Sequence, residues 1–386
     1  MDTKDLPNNT ILTEKVGLSL DSFQTKRNNN ILVIGDGGSR KTQSFILPNL
    51  LQSSGNYIAF IENSHLDSGL IRFFKQQGYC ANFFDIKSPG KSCHYNPLKY
   101  IKDYDEALIV AKCLTQNSEL YSDSKEEAIF LDKWEHIFLA IIIYYVIANP
   151  NISPENKTLV AVNYFLDKVI ETQEILDLCF SRISTTEPDF IQKLVISCKA
   201  KLSFLNQTEY KEMFSSDDIG LDVFNLSKNI LFIFDNFFVF PAPILTILWY
   251  QILRVLVNGA PSILHTKLII GNLDSLGQIP EFTKILPFLS RNNISINICT
   301  HNLTQIKNLY PTDWESIVSN CDSFLFLGCQ EYSTLEYISK LTKVEPYELL
   351  AMSNDKCILI VNGFDIIFDN KYKAEMHPSY NHINIV

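Results

Sequence analysis

Residues 31–42 read ILVIGDGGSRKT, and this stretch decides the fold class. The apolar run at 31–35 predicts a short buried strand, and the spacing of apolar residues over 42–51 predicts a helix that Pro48 should kink or end. Between them lies a glycine-rich turn. A strand, such a turn and a helix in this order indicate a phosphate-binding loop.

The loop matches the pattern G-x-x-x-x-G-K-[ST] at Gly35, Lys41 and Thr42, and Arg40 stands where the last glycine is usual. Backbone N–H groups of such a loop surround phosphate oxygens, the lysine reaches the β- and γ-phosphates of ATP, and the threonine hydroxyl holds Mg²⁺. Arg40 removes backbone freedom but adds a cation. The alternative is a glycine turn that merely precedes Lys-Thr. The candidate nucleotide-binding residues are Gly35, Asp36, Gly37, Gly38, Ser39, Arg40, Lys41 and Thr42.

Further strands and helices alternate along the chain on both sides of a helical middle part. Single helices between strands predict parallel βαβ units, and continuous apolar runs predict strands covered on both faces. We therefore expect an α/β fold with a mostly parallel sheet flanked by helices. The predicted strands are 57–61, 80–84, 230–234, 267–270, 294–299, 324–327 and 357–361, with helices at 66–77, 242–257 and 334–341.

The middle of the chain, 116–224, contains nine Lys and Arg against 18 Asp and Glu, a net charge of −9. Its apolar spacing predicts only helices, so we interpret it as an inserted all-α domain. The predicted helices are 126–148, 158–169, 174–180 and 189–205. The predicted division is a polar and irregular N-terminal segment at 1–29, the two halves of the phosphate-loop domain at 30–115 and 225–386, and the insertion at 116–224.

Composition excludes several classes of protein. The net charge of −10 argues against strong autonomous binding of nucleic acid, so that only weak DNA contact is expected. Nine cysteines lie scattered without a CxxC pair, which predicts reduced thiols and no structural metal. No apolar run reaches the length of a membrane span, and the N-terminus lacks a signal-peptide core. We expect a cytoplasmic protein.

Several segments, in order along the chain, resemble the TraG/TraD-type coupling proteins of type IV secretion and conjugation. The resemblance implies a RecA/FtsK-like domain with an inserted helical domain. Such proteins are hexameric, membrane-anchored, ATP-driven motors that deliver relaxase-bound DNA or effector proteins to a secretion channel. The segments are LSLDSFQTKRNNNILVIG (18–35), SFILPNLLQ (44–52), HYNPLKYI (94–101), WEHIFLAIIIYY (134–145), LDSLGQIPEF (273–282), NLTQIK (302–307), NCDSFLFLG (320–328) and STLEYISKL (333–341).

The sequence departs from that family at the positions that handle metal and water. The resemblance places the family's paired Asp-Glu, the Walker B carboxylates, at Gly271 and Asn272. Asp274 lies two and three positions away and could not substitute without a shift of the chain. The family's nucleotide-sensing glutamine corresponds to His301. Without the family, the generic pattern of an apolar run followed by an acid would place a metal ligand at Asp235 instead.

Two further positions differ from the family. The turn after the second strand reads Glu62-Asn63-Ser64-His65 in place of an acidic-lysine turn, and Arg291 lacks the paired arginine of a trans-acting finger. Loss of metal- and water-positioning groups typically costs several powers of ten in rate. We therefore expect a weak or inactive ATPase.

Three functions remain open at this point. The first is a coupling-protein-like component of a transfer or secretion system with a degenerate ATP site, held at the inner face of the membrane only through partners. The second is an active DNA-translocating motor. The third is a pseudo-ATPase scaffold whose acidic helices dock a basic relaxase or channel subunit, or which joins a hexamer or mixed oligomer with an active paralogue.

Overall fold

The computed structural model describes residues 9–62, 67–115, 125–183, 187–235 and 243–383. The strands in these ranges are β1 Asn9–Ile11, β2 Gly17–Ser19, β3 Ile31–Ile34, β4 Asn56–Glu62, β5 Cys80–Phe84, β6 Asn229–Asp235, β7 Thr266–Ile270, β8 Ile294–Thr300, β9 Ser323–Phe326, β10 Lys356–Val361 and β11 Ile367–Asn370. The α-helices are α1 Ser22–Thr25, α2 Leu47–Leu51, α3 Asp67–Gln76, α4 Tyr104–Thr115, α5 Lys125–Ala148, α6 Leu159–Asp167, α7 Gln173–Ile183, α8 Pro188–Lys201, α9 Thr208–Met213, α10 Pro243–Asn258, α11 Phe282–Ile285, α12 Leu303–Leu309, α13 Trp314–Ser319, α14 Tyr332–Thr342 and α15 Pro346–Leu350.

Nine of the strands form one mixed sheet in the order β11-β10-β9-β3-β8-β7-β4-β6-β5. The pairs β9–β3, β3–β8, β8–β7, β7–β4 and β4–β6 are parallel, while β9–β10 and β10–β11 are antiparallel. The predicted α/β fold with a mostly parallel sheet is confirmed. Because parallel strands end at the same edge of a sheet, the turns after β3, β8 and β7 meet there.

Strand β3 lies inside the sheet, and its four residues are at most 2% exposed. Ile31 and Val33, on one face of the strand, belong to a core that also contains Phe45, Leu50 and Phe74, from the segments on either side of β4. Leu32 and Ile34, on the other face, are fully buried as well. A continuous apolar strand needs such cover on both of its faces, which explains why ILVI has no alternating polar residue. The buried strand β3 therefore fixes the position at which the following turn begins.

The segment after the loop begins as a π-type turn and only then becomes an α-helix. The N–H of Leu47 donates to the carbonyl of Thr42, five residues earlier, and α2 starts at that leucine. Pro48 lies in the first turn of α2, directly after the π-type turn; it has no N–H for a helical bond, and its ring crowds the carbonyl four residues earlier. The predicted kink at Pro48 is thus a change of helix type at 42–47.

The described N-terminal residues are more ordered than the sequence predicts. Strands β1 and β2 pair as an antiparallel hairpin, and Leu12 and Val16 within it belong to the core. The side chain of Asn49 fixes β1, because it accepts from the Ile11 N–H at 2.9 Å and donates to the Ile11 carbonyl at 2.8 Å. The expectation of an irregular segment at 1–29 is wrong over this hairpin, since polar strands of three residues give no sequence signal.

The chain divides into two compact units. One comprises the described parts of residues 1–83, 221–237 and 253–386, and the other those of 84–220 and 238–252. The second unit is mainly helical and includes α4, which packs against α5. The insertion at 116–224 stays a prediction. Within this unit the Arg182 guanidinium lies 3.6 Å from the centre of the Tyr104 ring.

No helix in the described ranges combines the length and the apolar character needed to cross a membrane.

Candidate functional site

The loop begins at Gly35, where β3 ends. The Gly35 N–H donates to the carbonyl of Thr300, at the end of β8, over 3.1 Å. A Cβ atom at residue 35 would overlap the Ser39 side chain and lie 3.0 Å from Leu327 Cβ. Only glycine permits this tight return of the chain, so the match to the loop pattern at this residue has a physical cause.

Arg40 adopts a left-handed backbone conformation, which favours glycine. Its φ and ψ are 63° and 34°, in the left-handed region, and its side chain is exposed. A residue with a Cβ adopts this conformation at a cost of about 1 kcal/mol. The loop therefore keeps the geometry of a glycine-containing turn and carries a cation where such turns have none.

Lys41 turns its ammonium group back over the loop. Nζ donates to the Gly35 carbonyl, lies 3.3 Å from the Asp36 carbonyl oxygen and lies 3.2 Å from Nδ1 of His301. A charged lysine has no acceptor, so Nδ1 of the imidazole accepts this contact. The structure thus brings together the predicted phosphate-binding lysine and the predicted sensor position.

Thr42, the expected magnesium ligand, opens the π-type turn and is half-buried. The next residue, Gln43, has a buried side-chain oxygen without a hydrogen-bond partner in the part of the chain described here. Beside the loop there is therefore a hydroxyl and an amide that have capacity for polar contacts.

The end of β7, unlike the loop after β3, has no room for a polar side chain. The Gly271 N–H donates to the Phe60 carbonyl over 2.7 Å, which prolongs the pairing of β7 with β4. A Cβ atom at residue 271 would lie 2.8 Å from that carbonyl oxygen and 3.3 Å from Cδ1 of Ile46. The backbone is so close here that a carboxylate side chain does not fit without displacement of β4 or of the segment after the loop.

Asn272 lies on the turn that follows. Its Nδ2 donates to Ser275 Oγ over 2.8 Å, whereas its Oδ1 is buried without a partner among the described residues. An amide oxygen can accept a hydrogen bond from water or contact a cation, but it cannot take a proton as a general base at neutral pH.

Gln305 connects this turn with the end of β8. Its Oε1 accepts from Thr300 Oγ1 at 2.8 Å and from the His301 N–H at 2.9 Å, and its Nε2 lies 3.4 Å from an oxygen of Asp274. The sequence analysis missed this residue, although it lies in the NLTQIK segment four positions after His301. Asp274 is thus held by an amide on α12.

The strand order distinguishes the two candidate positions for a metal-binding carboxylate, the end of β7 and Asp235 at the end of β6. From β3, β8 is one strand away, β7 is two and β6 is four. At about 4.8 Å per strand, the backbone after β7 lies roughly 10 Å from that after β3, and the end of β6 roughly 19 Å away. This spacing favours Gly271 and Asn272 as the positions that correspond to the Walker B carboxylates. It gives no support to a metal role for Asp235, whose side chain lies outside the described residues.

Asp36 anchors the start of the loop to the turn after β9. Its N–H donates to the Gly328 carbonyl over 3.0 Å, and its Oδ2 accepts from the Gln330 N–H at 2.7 Å. Next along the chain, Glu331 accepts from Ser333, Thr334 and Thr304. Burial opposes ionisation of Glu331, but these hydrogen bonds prevail and lower its pKa to about 2. A permanent carboxylate therefore ties α14 to α12 beside the loop.

Lys371 is the second residue that sequence reasoning missed. Its Nζ donates to the Ser39 carbonyl over 3.0 Å, 332 residues away along the chain. The lysine is only 4% exposed. No local pattern marks it, because its role depends entirely on where the end of β11 lies.

Other predicted residues are not part of this arrangement. Arg291 lies just before β8, at the opposite edge of the sheet, with its guanidinium 5.1 Å from the Phe288 ring centre. Of the predicted 62–65 turn, 63–65 and the Glu62 side chain lie outside the described residues. Within the described ranges, no group of three His, Cys, Asp or Glu residues is placed to hold a metal ion.

A family model described as "Type IV secretory system Conjugative DNA transfer" matches residues 7–343. Curated proteins give no significant sequence match.

Solved structures share the fold. The unbound form of the bacterial conjugative coupling protein TrwBdeltaN70 superposes with a TM-score of 0.69 at 12% identity, covering 97% of this chain and 90% of that one. The plasmid coupling protein TrwB in complex with ADP and Mg²⁺ gives 0.67 at 12% identity, with coverage of 97% and 90%. VirB4 of Thermoanaerobacter pseudethanolicus gives 0.62 at 13% identity, with coverage of 98% and 100%. At these identities the likeness concerns the fold.

Proposed function

The chain belongs to the type IV secretory system conjugative DNA transfer family, and from this premise we propose that it is a coupling-protein-like component that binds ATP but hydrolyses it weakly or not at all. Two features of the same sheet edge support this proposal. The loop after β3 retains the means to hold phosphates, and the turn after β7 lacks the means to hold metal and activate water.

Binding of ATP rests on the loop residues 35–42. A phosphate entering the loop would replace the Gly35 and Asp36 carbonyls as partners of Lys41, and an ammonium–phosphate contact is stronger than an ammonium–carbonyl contact. The solved TrwB complexes with ADP and Mg²⁺ and with an ATP analogue show that relatives of this fold bind nucleotide. We extend that property to this chain.

Magnesium fits the site less well than the nucleotide. Of the protein groups expected to hold it, Thr42 is present and the Walker B carboxylate is replaced by Gly271. Magnesium usually keeps several waters and relies on one or two carboxylates plus substrate phosphates. We infer that any Mg²⁺ arrives with the nucleotide and is held chiefly by its phosphates and by Thr42.

The observation that carries the proposal of weak hydrolysis is the close approach of Gly271 to the Phe60 carbonyl. Phosphoryl transfer depends on a positioned metal and a positioned water rather than on covalent chemistry by the protein. Asn272 follows at the position of the catalytic glutamate and supplies no base. His301 replaces the sensing glutamine and contacts Lys41 instead.

Titration calorimetry with ATP, with and without Mg²⁺, tests this proposal. We expect binding that Lys41→Ala weakens by about 100-fold, the typical worth of a lost charge-assisted contact, and that Mg²⁺ strengthens only a few-fold. Steady-state turnover with and without DNA should stay at the level of Lys41→Ala. Absence of ATP binding, or Lys41-dependent turnover that approaches about 1 s⁻¹, the lower range of ordinary enzymes, would overturn it.

The charge of the helical region supports a second candidate, in which the same chain serves as a scaffold at the cytoplasmic face of the membrane. Residues 116–224 contain nine Lys and Arg against 18 Asp and Glu, and many of the carboxylates are exposed. Such a surface favours a basic partner, such as a relaxase or a channel subunit, and disfavours DNA. Exposed examples are Asp167, Glu171, Glu174, Asp177, Asp189, Glu209 and Glu212.

Binding of the full chain to the purified relaxase of its own transfer system tests the scaffold. The affinity should fall steeply between 50 and 300 mM salt, as screening predicts, and should fall further in a Glu171→Lys/Glu174→Lys double variant. A salt-independent affinity, or no binding, would count against it. This candidate includes an oligomer with an active paralogue. Arg291 lies at the opposite edge of the sheet from the loop of its own chain, so it could reach a nucleotide site only in another subunit, across an interface.

A further inference from the structure

The loop is held from outside by a buried lysine. Lys371 follows β11, is 4% exposed, and donates from Nζ to the Ser39 carbonyl at 3.0 Å and to Asn354 Oδ1 at 3.1 Å. Asn354 in turn lies with Nδ2 3.4 Å from the Gly38 carbonyl. Two consecutive carbonyls of the loop are thus fixed by the segment that carries β10 and β11.

This contact acts on the strained point of the loop. The Ser39 carbonyl belongs to the peptide that leads into Arg40, the residue with φ of 63°. A trans peptide directs its C=O and N–H groups in opposite directions. Lys371 therefore turns the Arg40 N–H away from itself and stabilises a peptide orientation that glycine would adopt without strain.

Charge is the second contribution. Arg40, Lys41 and Lys371 bring three cations to one short segment. The pKa of Lys371 is lowered to about 8, chiefly by burial; the positive charges of Arg40 and Lys41 contribute to the shift, and Cys357 and Asp355 oppose it. A polyanion in the loop would relieve this repulsion.

We propose that Lys371 is a positioning residue of the nucleotide-binding loop, which compensates for the missing last glycine by holding the Ser39–Arg40 peptide and adds a third positive charge for the phosphates. This inference rests on the proposed binding of ATP. It assigns a role to the β10–β11 segment, which no loop pattern includes.

A double-mutant cycle with ATP as the probe tests the positioning role. Lys371→Met should weaken ATP binding by about tenfold, whereas the exposed neighbour Lys373→Met should change it less than twofold. In an Arg40→Gly background, where the loop needs less support, the effect of Lys371→Met should shrink to about threefold. Equal effects in both backgrounds would refute the coupling.

The pH profile separates this role from general stabilisation of the fold. Bound phosphates should raise the pKa of Lys371, so wild-type affinity is constant below pH 8 and declines between pH 8 and 9.5. Lys371→Met should remove the decline, and so should Lys371→Arg, which keeps its charge throughout and provides the test if the methionine variant does not fold. A decline that persists in either variant would overturn the inference.

The outcomes also distinguish the two proposals. If the wild type binds no ATP at any pH, the proposed function fails and this inference fails with it. If the wild type binds ATP and Lys371→Met binds it equally well with the same pH profile, only the role of Lys371 is wrong.

Discussion

Strands β3 and β7 are both buried and lie two positions apart in one sheet, and each is followed by a glycine with no room for a Cβ. At Gly35 the missing side chain lets the chain fold into a loop lined with cations. At Gly271 it lets the backbone press against β4, which closes the place where a carboxylate would stand. Under the proposed function, the same residue type preserves nucleotide binding at one strand end and excludes the metal- and water-positioning groups at the other.

The two strands also differ in their interior. Strand β3 buries only apolar residues, whereas β7 buries Lys267, which is 1% exposed and has no hydrogen-bond partner for Nζ in the described part of the chain. Lys267 Nζ lies 6.0 Å from the centre of the Tyr57 ring. A buried cation without a hydrogen-bond partner costs stability, so β7 carries a cost that β3 does not.

The largest effect is expected from Lys267→Met. Burial lowers the pKa of Lys267 from 10.5 to about 7, so the unfolded chain binds more protons between these pH values and wild-type stability rises with pH. The variant should be more stable than wild type by about 4 kcal/mol at pH 7 and by about 1 kcal/mol at pH 9.5. Urea unfolding at both pH values measures this, with the exposed Lys340→Met as control. A wild-type stability independent of pH would contradict it.

Restoring the lost acid should not restore the site. Gly271→Asp places a side chain 2.8 Å from the Phe60 carbonyl and should lower the free energy of unfolding by about 3 kcal/mol, without any gain in ATP turnover. Gly37→Asp is the matched control, since a Cβ there meets nothing within 4 Å, and should change stability by less than about 0.5 kcal/mol. Hydrolysis recovered by Gly271→Asp would show that β7 has room after all.

Gly35→Ala tests whether the tight turn after β3 is needed for ATP binding, independently of the end of β7. The added methyl overlaps Ser39, whose side chain can partly move, so we expect a loss of about 2 kcal/mol in stability together with loss of ATP binding. Gly38→Ala, with nothing within 4 Å of its Cβ, should leave stability nearly unchanged. Thermal unfolding with and without ATP distinguishes them: equal shifts by ATP in both variants would mean that the tight turn is not needed for binding.

The smallest effect is expected from Arg40→Gly. Release of the left-handed strain should raise the free energy of unfolding by about 1 kcal/mol. Lys343→Gly is the control, because Lys343 has the same backbone conformation with φ of 62° at the end of α14. Both variants should be stabilised in denaturant titrations, and only Arg40→Gly should alter ATP affinity. Destabilisation of Arg40→Gly would show that its side chain makes essential contacts.

The sequence predicts the sheet and the loop but not the contacts that hold the loop. Continuous apolar runs mark strands such as β3 and β4, because burial on both faces favours apolar side chains. The β1–β2 hairpin is missed since Asn9 and Thr10 have the character of a polar loop, and its order depends on Asn49. Gln305 and Lys371 are missed because their hydrogen bonds to backbone and side-chain groups require no particular pattern in the sequence that supplies them.

A single-turnover experiment tests the central claim most directly. The chain in molar excess over labelled ATP, with Mg²⁺ and DNA, should release phosphate no faster than Lys41→Ala, although the same mixture shows bound ATP. Release that depends on Lys41 and approaches about 1 s⁻¹, the lower range of ordinary enzymes, would contradict the account. It would mean that the end of β7 still positions metal and water.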